Sequence, residues 1–295
     1  VAALDVFPTS ASTQTIEHER PLHELTIAGS ADYEPDAIDR SDSSRRSVEP
    51  GARGHSPSEP ISDVHSLGTS DSYAELASRY GPLAEAGDAT ARRRMAQIRE
   101  FCAAFSLSPQ NFAQQLDALA ATQPALRQRA AAIHALTTSR CQGLDGGTPI
   151  TRARIDLDWA EAVSARDPVA TLRVAAADPD LPVAALDQLL DRTLSSADSE
   201  TLFEIGNTLG ARHDSEKYAD YADPYVGQYA WQIAACRHGG PSMCGPNSPL
   251  MVAMCMNGAC AGGSFEQAVR ALLPGADQAR LDRQISLIEQ LISQR

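Results

Sequence analysis

Residues 70–105 read SDSYAELASRYGPLAEAGDATARRRMAQIREFCAAF, and this stretch decides the fold class. Tyr73, Leu76, Ala77 and Tyr80 recur three or four residues apart, so a helix places them on one face. Gly87 then supplies a helix stop, and Asp88 an N-cap for the next helix. That second helix carries Met95, Ile98, Phe101, Cys102 and Phe105 on one stripe. Two amphipathic helices joined by a Gly-Asp turn are expected.

The pattern continues beyond this pair. Pro109 and Pro124 suit the first turns of further helices. Leu116, Leu119, Leu126, Ile133 and Leu136 extend the apolar seams. The segment CQGLDGGTPITR, 141–152, reads as a loop. Helical patterns resume at RARIDLDWAEAVSA, PVATLRVAAA, PVAALDQLLDRTL and SETLFEIGNTLG. The last helices fall at roughly 224–237, 248–256, 264–273 and 277–293, and Ser264 with Gln267 has the capping-box form. Aromatic residues make up only 5% of the chain, Ala and Leu are abundant, and nothing alternates with period two for long. The expected fold is all-α: a helical-repeat-like array or a bundle of antiparallel helices, with a disordered N-terminal tail.

The tail, 1–68, is rich in Ser, Pro, Gly and charge, and too poor in apolar surface to offset its ordering entropy. Its short run PLHELTIAG is the one part expected to dock as a strand or turn. Residues 1–71 hold thirteen acids against five Arg, a net of −8 out of −13 for the chain. So acidic a chain repels phosphate backbones and anionic headgroups, which argues against nucleic acid and lipid surfaces as partners. Lys217 is the only lysine, which reads as codon usage. No run approaches the ~18 apolar residues of a membrane span. The chain begins at Val1 rather than Met, so an upstream signal or anchor segment is an open possibility. Three parts are expected: an acidic tether at 1–68, a helical domain at 69–212 and a cysteine-stapled module at 213–295 packed on it.

Two stretches, ELASRYGPLAEAGDATARRRMAQI and DLDWAEAVSARDPVATLRVAA, each give a short helix, a turn ending in Asp and an Ala-rich helix. They resemble the Sel1-like branch of helical repeats over about 70–212. Trp159, Ala160 and Ala162 match that family's aromatic-bearing first helix, and Leu83-Ala84-Glu85-Ala86-Gly87-Asp88 matches its turn. The Leu-Gly-x-x-Tyr element is missing from both, with LFEIGNTLG at Leu202–Gly210 as a remnant. The resemblance implies stacked helix pairs and a concave surface that binds protein or peptide. It brings no catalytic residues.

Four cysteines, Cys236, Cys244, Cys255 and Cys260, crowd into ACRHGGPSMCGPNSPLMVAMCMNGAC. Only the last pair has the short spacing of a zinc knuckle, and no C-x-x-C redox motif is present. The Gly- and Pro-rich loops between them favour disulfides instead. Cys236–Cys244 and Cys255–Cys260 are the first-choice pairing, with cross-pairings open. Cys102 and Cys141 sit near predicted helix ends, either paired or buried as thiols. The segment also resembles a C-terminal module of uncharacterised bacterial envelope proteins, over about 230–268. Trp231, Cys236, Gly239, Cys244, Gly245, Ser248, Cys255, Gly258 and Cys260 carry that likeness, which implies an envelope location and no assigned activity.

Catalytic signatures are missing: no H-E-x-x-H, no G-x-S-x-G and no P-loop. No catalytic residue, metal or cofactor is expected, and His18, His23 and His238 read as loop or tail residues. The acid pairs Asp156/Asp158 and Glu200/Glu204 read as solvated faces or caps. Tyr218, Tyr221, Tyr225, Tyr229 and Trp231, beside Asp214, Glu216, Asp220 and Asp223, form a candidate binding surface, with core packing the competing assignment. The expected function is a non-enzymatic scaffold that binds a protein or peptide in the bacterial envelope, periplasmic or otherwise exported. One alternative is a peptidoglycan-type hydrolase or lyase using helix-borne carboxylates. The other is a cytoplasmic adaptor stabilised by zinc.

Overall fold

The helix–turn–helix at 73–107 forms as its sequence dictates. In the computed structural model, which describes Leu67 and residues 72–195, 198–259 and 262–294, helix α1 spans Tyr73–Glu85 and α2 spans Ala89–Leu107. The Ser72 hydroxyl accepts from the Glu75 N–H and starts α1; the Asp88 carboxylate accepts from the Ala91 N–H at 2.7 Å and starts α2. Gly87 between them has φ +94°, the left-handed conformation that ends a helix at lowest cost in Gly. The readings of the tether and of PLHELTIAG lie outside the described residues, as does Cys260.

Every regular element among the described residues is helical, so the fold is all-α. After α2 come α3 (Pro109–Thr122), a 3₁₀ turn at Pro124–Leu126 and α4 (Arg127–Cys141). Next are α5 (Arg152–Ser164), α6 (Pro168–Ala177), α7 (Val183–Leu194) and α8 (Ser199–Ala211). The last are α9 (Gly227–Gly239), α10 (Pro241–Cys244), α11 (Pro249–Met256), α12 (Phe265–Leu272) and α13 (Gly275–Ser293). Ser264 caps α12 by accepting from the Gln267 N–H. The Gln267 side chain reaches back one residue further than in a capping box, accepting from the Gly263 N–H at 2.6 Å.

The two stretches that resemble each other in sequence also turn alike. Asp88 donates its N–H to Leu83 O and Asp167 donates its N–H to Ala162 O, each at 3.0 Å, across a residue with positive φ: Gly87 in one turn, Arg166 in the other. Each Asp then caps the next helix. α2 packs against α1, α4 and α5, while α8 packs against α6 and α9.

Burial of apolar side chains gathers the core into two clusters. The first runs through α1–α5, from Tyr73 to Trp159 and Ala162, and takes in Ala170, Val252 and Cys255. The second runs from Leu172 to Ile288 and holds Trp231 fully buried. The expected boundary at 212 therefore falls inside the second cluster. Two helices serve both clusters: α6 gives Ala170 to one and Leu172 to the other, and α11 gives Val252 and Cys255 to one and Met251 and Met254 to the other. The seam between the clusters is where the molecule opens.

Charge stitches the first cluster to its neighbours. Arg93 pairs with Asp167 at 2.9 Å and with Glu200, and Arg94 also pairs with Glu200. Arg99 binds Asp145 and Asp158, both at 2.9 Å, and so ties the loop after α4 to α5. No described helix is long and apolar enough to cross a membrane.

Candidate binding cleft

A cleft of about 630 Å³ runs along the seam, within the ~300–1,000 Å³ range of small-ligand sites. Its lining is of two kinds. One is apolar and rich in methionine: Met243 from α10, Leu250, Met254 and Met256 from α11, with Phe203 from α8 and Phe265 from α12. Covalent and capping constraints hold this wall in place. The Cys236–Cys244 disulfide, Cα–Cα 5.5 Å, pins the four-residue α10 against the end of α9. The Ser248 hydroxyl caps α11 by accepting from the Met251 N–H at 3.2 Å. Phe203 and Phe265 meet edge to face at 6.1 Å within this lining.

Side-chain amides also line the cleft. Asn207 on α8 accepts from the Gln232 and Gln228 amides of α9 at 2.8 and 3.2 Å, and donates to Glu204 at 2.9 Å. Close approach of α8 and α9 makes these bonds possible. A Cβ on Gly206 would lie 2.6 Å from Trp231 Cβ, so only glycine lets the helices meet there.

Glu204 is only 7% exposed. Burial pushes its carboxyl pKa above the usual range, and nearby Glu100 pushes the same way; Arg173 and the Asn207 bond oppose them. A raised folded-state pKa means that the ionised form costs stability at neutral pH. The cost fades as pH falls through the folded value and is gone below the unfolded one. Glu204→Gln keeps an acceptor for Asn207 and removes the charge. It is expected to raise the melting temperature at pH 8, by about 2–4 °C per kcal/mol relieved, and to leave it unchanged at pH 4. Paired thermal melts at the two pH values check this.

An ionic and aromatic group also lines the cleft. Arg173 lies over the Trp159 ring at 4.4 Å and donates to Glu100 at 2.5 Å. The Trp159 indole N–H is buried without a hydrogen-bond partner, and so is the hydroxyl of Thr137, another residue of the lining. Both side chains are at least nine-tenths buried, at 5% and 1% exposure. Buried polar groups normally find partners, so both are exceptions in this fold.

The sequence-derived site residues scatter. Tyr218 and Trp231 are core residues, 2% and 0% exposed, and the Trp231 indole donates to Tyr221 O. Tyr221 is half-buried against the core. Tyr225 is exposed under Arg280. Only Tyr229 lines the cleft, so the five do not make one surface. Helical spacing on α9 turns Trp231 inward against Gly206, which is why core packing prevails there.

Among the acids, Asp156 is an exposed partner of Arg152, and Asp158 is buried against Arg99. Glu200 is held by Arg93 and Arg94, and Glu204 is not a solvated face at all. A faint signal was in the sequence: past its first turn, which holds Glu200, α8 is apolar, small or amide-bearing except for Glu204.

Cys102 and Cys141 are disulfide-bonded, as are Cys236 and Cys244, and disulfide sulfurs offer no thiolate to zinc. Cys255 also forms a disulfide. His238 is exposed in the last turn of α9, and among the described residues no three His, Cys, Asp or Glu side chains converge as metal ligands. Comparison of the chain with protein-family models, with curated proteins and with solved structures finds no match in any of the three.

Proposed function

We propose that this protein is an exported, non-enzymatic binding scaffold whose cleft holds a short apolar peptide segment. One observation carries the reading: methionines and side-chain amides line the same cleft. Unbranched, polarizable methionines adapt to apolar side chains of differing shape. Gln228 and Gln232 offer both donors and acceptors, which is what the alternating N–H and C=O groups of a peptide backbone require. Disulfides persist in oxidising compartments, so the two described pairs point to an exported protein. The envelope of a bacterium is the compartment proposed, in line with the resemblance of the C-terminal module.

Calorimetric titration with C-terminally amidated tetrapeptides of Leu, Met and Phe, against Gly/Ser tetrapeptides, tests the reading. Saturable binding of the apolar set, lost in Met243→Glu and Leu250→Glu, is expected. Equal behaviour of the two sets, or binding untouched by both substitutions, overturns it.

A second reading has one observation in its favour: Glu204 and Glu100 line the same cleft. A polymer hydrolase needs an acid with a raised pKa and a second carboxylate roughly 5–10 Å away. Incubation with peptidoglycan fragments decides it. New reducing ends or anhydro ends that vanish in Glu204→Gln would establish cleavage; their lack in the native protein leaves the scaffold.

A further inference from the structure

We infer that the cleft's first occupant is a segment of this chain, Asp63–Ser66, with Val64 seated among the apolar lining, and that an external peptide binds by displacing it. The inference rests on the peptide-binding reading in taking the cleft as a groove for apolar chain, and it names the ligand that groove meets before any partner arrives.

The chain reaches the helical body at the cleft. Leu67 is the first described residue; it lines the cleft and packs half-buried against the first core cluster. Its backbone is held there, since the Tyr73 hydroxyl donates to Leu67 O at 2.9 Å. Tyr73 is itself fixed, 1% exposed and edge to face with Phe101 at 5.3 Å, and both rings line the cleft. The 66 residues that precede Leu67 in the sequence therefore all lead to this one point.

Covalent connection limits where the nearest of them can go. Three residues span at most about 11 Å, so Val64 cannot leave the neighbourhood of Leu67. A group tethered this closely has an effective concentration on the order of millimolar at the cleft. A free peptide arriving from solution has to compete with it.

Val64 also has the chemistry the cleft accepts. The lining offers Phe101, Phe112, Val252 and Met256, all apolar. In DVHSL, 63–67, the two apolar residues stand three apart, and Leu67 is helical. On a helical turn that spacing places Val64 and Leu67 on one face, the face that Leu67 already turns to the cleft. Burial of a valine is favourable and costs little side-chain freedom, because its branched side chain has few rotamers to lose. Occupation in cis sets a threshold: only a chain that fills more of the lining than one valine displaces the segment. That threshold suits a scaffold whose methionines would otherwise take apolar side chains indiscriminately.

The test uses the full chain with its valine methyl groups carbon-13 labelled, the Val64 signals being assigned by their loss in Val64→Ala. Nuclear Overhauser contacts are expected between the Val64 methyls and the ring protons of Tyr73, Phe101 or Phe112, and saturating Leu-Phe-Leu-Gly amide should abolish them. In calorimetric titration, Val64→Glu should bind that peptide about tenfold or more tighter than the native chain, the factor that burial of one valine side chain supplies. Val48→Glu, 19 residues before Leu67, should match the native chain within about twofold. Val64 methyls without ring contacts overturn the inference whatever the peptide does. Equal affinity of the native and Val64→Glu chains overturns it and leaves peptide binding standing. An equal gain in Val64→Glu and Val48→Glu overturns the assignment to this segment. Ring contacts in the native chain, with no tetrapeptide binding even in Val64→Glu, support occupation in cis and overturn the reading of the cleft as a site for external peptides.

Discussion

Replacing Cys102 and Cys141 together by alanine is expected to lower the unfolding free energy by about 4 kcal/mol. The bridge joins α2 to the last residue of α4 across a sequence separation of 39, and the loop-entropy relation gives about that value for a loop of this length. Both cysteines are buried, Cys102 completely, so the substitution also leaves a small void. The Cys236–Cys244 bridge spans only 8 residues, and the same relation gives about 2.5 kcal/mol. The two bridges should differ in the opposite sense in function. The long one braces the first core cluster, whereas the short one pins α10 and thereby Met243 in the cleft wall. Urea unfolding of the two double-alanine variants, with titration of an apolar tetrapeptide, checks both orders. A greater stability loss from the short bridge, or no loss of binding on its removal, would contradict this account.

Arg99→Met should be nearly as damaging, at about 3–5 kcal/mol near pH 7, the range for breaking a buried ion pair by removing one partner. Arg99 offers its guanidinium to Asp145 and Asp158 at once, and Asp158 is 3% exposed. Burial pushes the Asp158 carboxyl pKa up, while Arg99 and Arg154 pull it down. Without Arg99 only the half-exposed Arg154 remains to compensate. The folded-state pKa of Asp158 must then rise further above its unfolded value. Protonation of the stranded acid relieves the penalty, so the deficit of Arg99→Met should shrink as pH falls from 7 toward 4. Arg99→Met with Asp158→Asn should recover part of the loss at pH 7 and show little of that pH dependence. Chemical denaturation at several pH values measures the trend; a deficit that grows on acidification would refute it.

Much of the helical framework was legible because it rests on short-range chemistry. Asp88 and Ser264 fix helix starts through local backbone bonds and Pro109 through its fixed φ, whereas Pro124 opens a 3₁₀ turn that runs into α4; the spacing from Tyr73 to Phe105 names the buried face. The cleft was not legible, because it is made by elements distant in the chain. Glu204 looks like a surface acid until α9 is laid on α8, and that contact depends on Gly206 facing Trp231, residues that only the tertiary fold brings together. The tyrosine-rich stretch misleads for the same reason. Its helical spacing fits core and surface equally, and only the second cluster decides that Tyr218 and Trp231 go in. Arginine use is a further case: Arg93, Arg94 and Arg99 read as codon usage in the sequence, yet each is buried and paired with an acid at least 46 residues away.

The methionines allow the most direct measurement of the central claim, that the cleft between the two core clusters is a peptide-binding site. With the methyl groups carbon-13 labelled, the five methionines report from different places. Met243, Met254 and Met256 line the cleft, while Met95 and Met251 are buried in the two core clusters without lining it. Titration with Leu-Phe-Leu-Gly amide should move the first three methyl signals along one saturable curve and leave the last two in place. Three stationary cleft signals, or five that move together without saturation, would contradict the account.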